Sequence, residues 1–213
     1  MNVTRFWWIR HAPVINPGGR IYGQRDVPAD TSNSAAFKGL AQRLPVEAVW
    51  IATRLRRTQA TAAAIHAAMG RAEGNSPMVV IAPDLIEQNF GAWQGLTYED
   101  IGAYGRGPGG ESGHRFWLAP ATTTPPGGES FVDVISRVAP AVTRLAEEHV
   151  GRDIVIVAHG GTIRAALAQA LELAPEAALA LTIDTLSLTR IDRVDDRSPG
   201  HGWRIGAINL PPL

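Results

Sequence analysis

Five residues of this 213-residue chain have side chains suited to handling a tetrahedral anion: Arg10, His11, Arg57, Glu87 and His159. Arg10-His11 closes the stretch FWWIRHAPV, an aromatic run that ends in two adjacent cation-forming groups. His159 stands in VAHGGTIR, where the amides of Gly160, Gly161 and Thr162 open a helical pattern and offer an anion site. Guanidinium forks bind tetrahedral oxyanions bidentately and stay charged at any working pH. An imidazole can attack phosphorus while a second one stabilises charge on the equatorial oxygens. A carboxyl such as Glu87 can then protonate the leaving alkoxide. A phosphoryl group is the natural guest of such a set.

These groups are far apart in the chain, so the elements between them must bring them together. Residues 3–9 read as a strand, rich in aromatic and β-branched side chains. Phe37, Leu40, Ala41 and Leu44 mark a helix face, and residues 46–52 a second strand. Leu55, Thr58, Ala62, Ile65 and Met69 form a further helical stripe, for which Thr53 is the expected cap. Residues 78–82 are a third strand, ended by Pro83, and Thr97 to Asp100 opens a short helix. Residues 105–128 are crowded with Gly and Pro and read as a surface excursion. Ser130 and Asp133 resemble a capping box for a long helix carrying Phe131, Val134, Ile135, Val138, Val142 and Leu145. The run DIVIVA lacks polar alternation, as a strand covered on both faces does, and its helix follows at once. Residues 181–191 and 203–210 close the chain as a strand pair, with an edge that suits a homodimer.

Alternating strands and helices predict an α/β layered sheet. In such sheets ligands bind beyond the carboxyl ends of the strands. Arg10-His11, Arg57, Glu87 and His159 each fall at or just past a strand end, so the fold would deliver all of them to one rim.

Composition narrows the partners. Twenty basic residues balance twenty acidic ones, which removes any bulk attraction to nucleic acid or to an anionic membrane. There is no cysteine, hence no disulfide, thiolate metal site or Cys nucleophile. No HxH, HExxH or paired-carboxylate cluster calls for a metal. No signal-peptide pattern or membrane-length apolar run is present, so a soluble cytoplasmic protein is expected. Trp7-Trp8 reads as packing, His66 and His149 as helix residues, and His114 and His201 as loop residues.

The motifs carry a resemblance. IRHAPV resembles the Arg-His signature of the histidine phosphatase superfamily, also called phosphoglycerate mutase-like. TRLRRTQATA is similar to its SxLxRAxQTA motif, and LIEQNFGAWQGLTYEDI to LxExxFGxWEG. VAHGGTIRAAL and PPGGESFVDVISRV match two more of its segments, and IYGQRDVPAD resembles the alpha-ribazole phosphatase-like members. GGES occurs twice, at residues 109–112 and 127–130, and only the second precedes a helical pattern. The likeness covers nearly the whole chain. It implies a three-layer sandwich with a mostly parallel central sheet, in a single domain over residues 1–213 with a lid at about 88–128.

It further implies that His11 forms a phosphohistidine, that Glu87 is the proton donor, and that Arg10, Arg57, His159 and Gly160 hold the phosphate. Gly23 and Gln24 would sit near that phosphate. Arg54, Arg56 and Arg57 share one turn, and only the alignment with the motif selects Arg57. Four positions depart from the family pattern: Ala12 for Gly, Ala29 for Leu, Arg54 for Asp or Pro, and Thr58 for Ala. The implied activity is hydrolysis of a small phosphomonoester without metal or organic cofactor. A phosphoglycerate mutase shares the same pocket, but the excursion offers only Arg106 and Arg115, not the Arg-Arg pair of mutase lids. A silent phospho-ligand binding module would need a lost catalytic group, and none is missing.

Overall fold

The computed structural model describes residues 2–15, 17–71, 76–97, 99–101, 120–195 and 202–212. Its centre is a six-stranded sheet in the order β3-β2-β4-β1-β5-β6. The strands are β1 (Asn2–Arg10), β2 (Val49–Ala52), β3 (Val79–Ile81), β4 (Asp153–Ala158), β5 (Leu188–Asp195) and β6 (Trp203–Leu210). β1 to β4 run parallel, whereas β5 pairs antiparallel with both β1 and β6. The expected mostly parallel sheet is what the chain forms.

Helices cover both faces. Alternation along the strands sends Phe6 and Trp8 of β1, with Ile154 and Ile156 of β4, into one apolar cluster. That cluster is closed by α3 (Phe131–Glu148) and α4 (Gly160–Leu171). Ile9, Val155 and Val157 face the opposite cluster, under α1 (Ser34–Arg43) and α2 (Arg56–Ala68). A short α5 (Pro175–Leu179) follows α4. β4 is buried on both sides, which explains the unbroken apolar run of DIVIVA. Trp8 packs on Phe6 inside the core, while Trp7 lies on the other face beneath the Arg190 guanidinium and donates to Asp153.

Local signals read from the sequence meet the structure unevenly. Ser130 and Asp133 form the reciprocal capping box, Ser130 Oγ accepting from the Asp133 amide and Asp133 Oδ2 from the Ser130 amide. Thr97 and Asp100 bond reciprocally in the same way. Thr53 does not cap α2. The cap position is Leu55, with no side-chain bond, and the Thr53 hydroxyl turns instead to Thr58 and His159.

The strand expected from residue 181 begins only at Leu188. Leu186 takes a left-handed backbone (φ 61°), and the carbonyls of Leu181 and Ile183 accept from Arg164 and Arg10 rather than from a neighbouring strand. The apolar character of that segment is used in burial, since Ile183 and Leu186 are in the interior. Most of the 105–128 excursion, with the first GGES, lies outside the described residues, as do His114 and His201. In the second GGES, Glu129 pairs with Arg137 at 2.8 Å and also accepts from the Asn89 amide. No helix among the described residues is long and apolar enough to cross a membrane.

Replacing Ser130 with Ala removes one half of the capping box. Stability measured by urea unfolding should fall by about 1 kcal/mol, and an unchanged midpoint would show that the cap contributes nothing.

Candidate active site

β1 and β4 are neighbours in register, Arg10 lying opposite Ala158, so the residues that follow each strand emerge side by side. The His11 amide still bonds the Ala158 carbonyl (3.0 Å), extending the ladder by one step. The rings of His11 and His159 consequently stand 5.3 Å apart at 61°. Arg57 arrives from the first turn of α2, after β2, and Glu87 from the turn beyond Pro83–Leu85, after β3. The carboxyl ends of all four parallel strands therefore contribute to one place.

His11 is only 1% exposed, and His159 and Arg57 are fully buried. His11 Nδ1 lies 2.7 Å from the Ala12 carbonyl oxygen. A carbonyl can only accept, so Nδ1 carries the hydrogen and Nε2 is left with its lone pair. Ala12 is itself fixed by its amide, which donates to Thr61 Oγ1 at 2.9 Å. Burial holds the His11 imidazole well below its ordinary pKa; Arg57 and, less strongly, Arg10 push the same way against the Ala12 carbonyl. His159 is lowered in the same direction, by burial first, then Arg57, His11, Arg10 and Arg137. Arg57 is also lowered by burial, with Glu87, Tyr22 and Asp26 opposing, but a guanidinium stays charged.

Four buried nitrogens here have no hydrogen-bond partner: His11 Nε2, His159 Nδ1, Arg10 Nε and Arg57 Nε. Leaving a buried polar group unsatisfied costs about 1–3 kcal/mol. A tetrahedral oxyanion would supply acceptors for the arginine donors and a reaction centre for the imidazole.

The remaining predicted residues hold the framework. Gly160 starts α4 beside Arg10, and a Cβ there would come 3.7 Å from Arg10 Nε. Glu87 presses its carboxyl on the next residue: a Cβ on Gly161 would stand 2.5 Å from Glu87 Oε1. Gly23 adopts φ +44° and gives its carbonyl to Arg57 Nη2 at 2.6 Å. Gln24 Nε2 donates to the Glu87 carbonyl at 2.9 Å, and Arg137 reaches the same oxygen at 3.2 Å. Gly23 and Gln24 thus position Arg57 and Glu87. The arginine triplet also separates: Arg56 is tied to Asp26 and Arg54 is exposed, while Arg57 enters the site.

Several participants escape a reading of the sequence. Tyr22 presents its ring to the edge of His11 at 6.1 Å and lies under the Arg57 guanidinium at 5.0 Å. Thr53 and Thr61 support His159 and Ala12. Next to this cluster opens a cavity of about 230 Å³, lined by Arg10, Tyr22, Gly23, Glu87 and Gly160 together with Arg20, Phe90, Phe131, Arg164 and Leu179. Among the described residues no group of three or more His, Asp or Glu stands close enough to hold a metal ion.

A sequence profile described as "Histidine phosphatase superfamily (branch 1)" matches residues 6–206. A bifunctional protein of Mycobacterium tuberculosis is 35% identical over 174 residues, 82% of this chain but 43% of its own length. The chain therefore spans less than half of that relative. Glucosyl-3-phosphoglycerate phosphatase of M. tuberculosis is 33% identical over 186 residues, covering 81% of this chain and 78% of that protein. The native structure of a mycobacterial glucosyl-3-phosphoglycerate phosphatase superposes with a TM-score of 0.79 at 29% identity, over 98% of this chain and 99% of the other.

Both histidines are neutral when folded and free to protonate when unfolded, near pH 6.5. Below that value the unfolded chain binds more protons, so stability is lost as pH falls toward the folded pKa values. Each ring contributes up to about 1.4 kcal/mol per pH unit. The melting temperature in buffers free of phosphate and sulfate should drop from about pH 6.5 downward, with a shallower slope in His11→Gln. A flat profile would mean that the rings titrate normally.

Proposed function

The chain belongs to the histidine phosphatase superfamily, and on that premise we propose that it hydrolyses a small phosphomonoester through a phosphohistidine on His11. The observation that carries this is the His11 ring itself, with Nδ1 committed to the Ala12 carbonyl and Nε2 bare, buried and surrounded by cations. In the first step Nε2 attacks phosphorus, the P–N bond forms as the ester P–O bond breaks, and Glu87 protonates the departing alkoxide. Arg10, Arg57 and His159 carry the charge that builds on the equatorial oxygens. In the second step Glu87 takes a proton from water, whose oxygen attacks phosphorus, and the P–N bond breaks to restore His11. Charge stabilisation comes from guanidinium and imidazole, so the reaction is metal-independent.

Residues 1–213 act as one domain in this reading, and Gln88 and Phe90, at the start of the expected lid, line the cavity. Arg20 and Arg164 add two guanidiniums to the lining of that cavity, to which Phe90 and Leu179 contribute apolar surface. This favours an alcohol that carries a carboxylate, as glucosyl-3-phosphoglycerate does; alpha-ribazole phosphate is the alternative suggested by the IYGQRDVPAD segment.

Release of inorganic phosphate from glucosyl-3-phosphoglycerate, 3-phosphoglycerate, alpha-ribazole phosphate and p-nitrophenyl phosphate tests the reading. Turnover of at least one is expected, with His11→Ala lowering kcat by more than about a thousandfold. Isomerisation primed by bisphosphoglycerate with negligible phosphate release would make the protein a mutase, and no turnover at all would leave a binding module. Glu87→Gln should cost about 10²–10⁴-fold on alkyl phosphates and far less on p-nitrophenyl phosphate, whose leaving group needs no proton. Equal losses on both would remove Glu87 as the acid.

A further inference from the structure

His159 has two ring nitrogens in different circumstances. Nε2 lies 3.0 Å from Thr53 Oγ1, and Nδ1 has no partner. Which nitrogen carries the hydrogen depends on Thr53, and Thr53 depends on Thr58. Thr58 stands where the family motif resembled here has Ala, so its hydroxyl belongs to this chain.

The hydroxyl hydrogens can be followed one at a time. Thr58 Oγ1 is 2.8 Å from the Leu55 carbonyl and 3.1 Å from the Thr53 carbonyl, and both can only accept. Its single hydrogen goes to a carbonyl. Thr58 Oγ1 is then an acceptor, already receiving the Thr53 amide at 3.2 Å and standing 3.1 Å from Thr53 Oγ1. Either hydroxyl could donate across that contact; the Leu55 carbonyl, nearer to Thr58 Oγ1 than Thr53 Oγ1 is, takes the Thr58 hydrogen and leaves Thr53 as the donor. Thr53 Oγ1 therefore spends its hydrogen on Thr58 and faces His159 as an acceptor.

We infer that Thr58, through Thr53, holds His159 as its Nε2–H form, so that Nδ1 can meet an anion only by taking up a proton as the anion binds. This rests on the proposed anion pocket but concerns how the pocket is charged. The neutral ring would turn a lone pair toward an incoming oxyanion and repel it. The doubly protonated ring donates once to Thr53 and once to the anion. Anion binding is thus coupled to the uptake of one proton at Nδ1, and loss of that proton favours release of product phosphate. The charged and titratable groups acting on the ring are Arg10 at the end of β1, His11 after it, Arg57 on α2 and Arg137 on α3; the Glu87 carboxyl lies against Gly161. With the pocket empty the surrounding cations and burial keep His159 neutral, and a dianion reverses that balance. Thr53 and Thr58 are positioning residues here, neither touching the reacting atoms.

The test is tautomer-resolved nitrogen NMR on the 15N-labelled full chain, with ring signals assigned by His→Gln variants. Tungstate serves as probe, because it is a tetrahedral dianion that carries no proton near neutral pH. His159 is expected as Nε2–H in the free protein and with both nitrogens protonated under saturating tungstate. Thr58→Ala frees the Thr53 hydrogen, so the free ring should move toward Nδ1–H, while Thr58→Ser should keep the wild-type signals. Tungstate affinity should weaken about tenfold per pH unit between the free and the liganded pKa of His159, and less steeply in Thr58→Ala. Should that variant not fold, Thr53→Val keeps the shape and should yield a mixture of tautomers. A free wild-type ring in the Nδ1–H form, or signals identical in wild type and Thr58→Ala, would overturn the inference. Phosphate release by the wild type is read separately, so failure here is distinct from failure of the proposed activity.

Discussion

The rest of the site depends on the hydrogen bond from His11 Nδ1 to the carbonyl of the next residue. It spans 2.7 Å between two buried residues. Because a carbonyl offers nothing to donate, the bond decides the tautomer without help from pH or solvent. The lone pair that results is on the nitrogen that has no other use. The bond exists because the chain leaves β1 while still paired to β4 through the His11 amide, and because Thr61 grips the following amide. Thr61 in turn donates to the Arg57 carbonyl at 2.7 Å, which links the support of His11 to the backbone of the arginine that acts on it most strongly.

That charge is the second constraint. Arg57 is fully buried and makes its two backbone bonds to the Gly23 and Arg25 carbonyls, leaving Nε unpartnered. Guanidiniums cannot discharge under these conditions, so the neighbouring imidazoles do. A neutral His11 is the form that the proposed attack on phosphorus requires. An arriving phosphate reverses the electrostatics, since its oxygens satisfy the arginines and restore to His159 the freedom to protonate. The empty site is accordingly the less stable one. Its cost is carried by the two-sided core around β1 and β4, where Phe6, Trp8, Ile9 and the DIVIVA strand are closed off from water.

Much of this was legible before any coordinates. Aromatic and β-branched runs located the strands, steps of three and four located the helices, and the four strand ends located the candidate site residues, because those patterns are local. What stayed hidden depended on contacts across the chain. Thr53 looked like a helix cap because it precedes an apolar stripe, yet its hydroxyl answers to His159, 106 residues away. Gly23 lines the cavity, and the bonds by which Gly23 and Gln24 also engage Arg57 and Glu87 are contacts that no local pattern announces. Residues 181–187 carried a strand-like composition, but arginines from β1 and α4 take their carbonyls and Leu186 turns the chain. Tyr22 gave no signal because an aromatic in a loop resembles packing until the cation above it is seen.

The central claim is that the lone pair of His11 Nε2 is the group that takes phosphorus. Trapping the phosphorylated protein after rapid quenching at alkaline pH, then recording phosphorus–nitrogen couplings on 15N-labelled material, reads the attachment atom directly. A single phosphohistidine at Nε2 of His11 is the predicted result. Phosphorus on Nδ1, on His159, or on no histidine during demonstrated turnover would contradict the account.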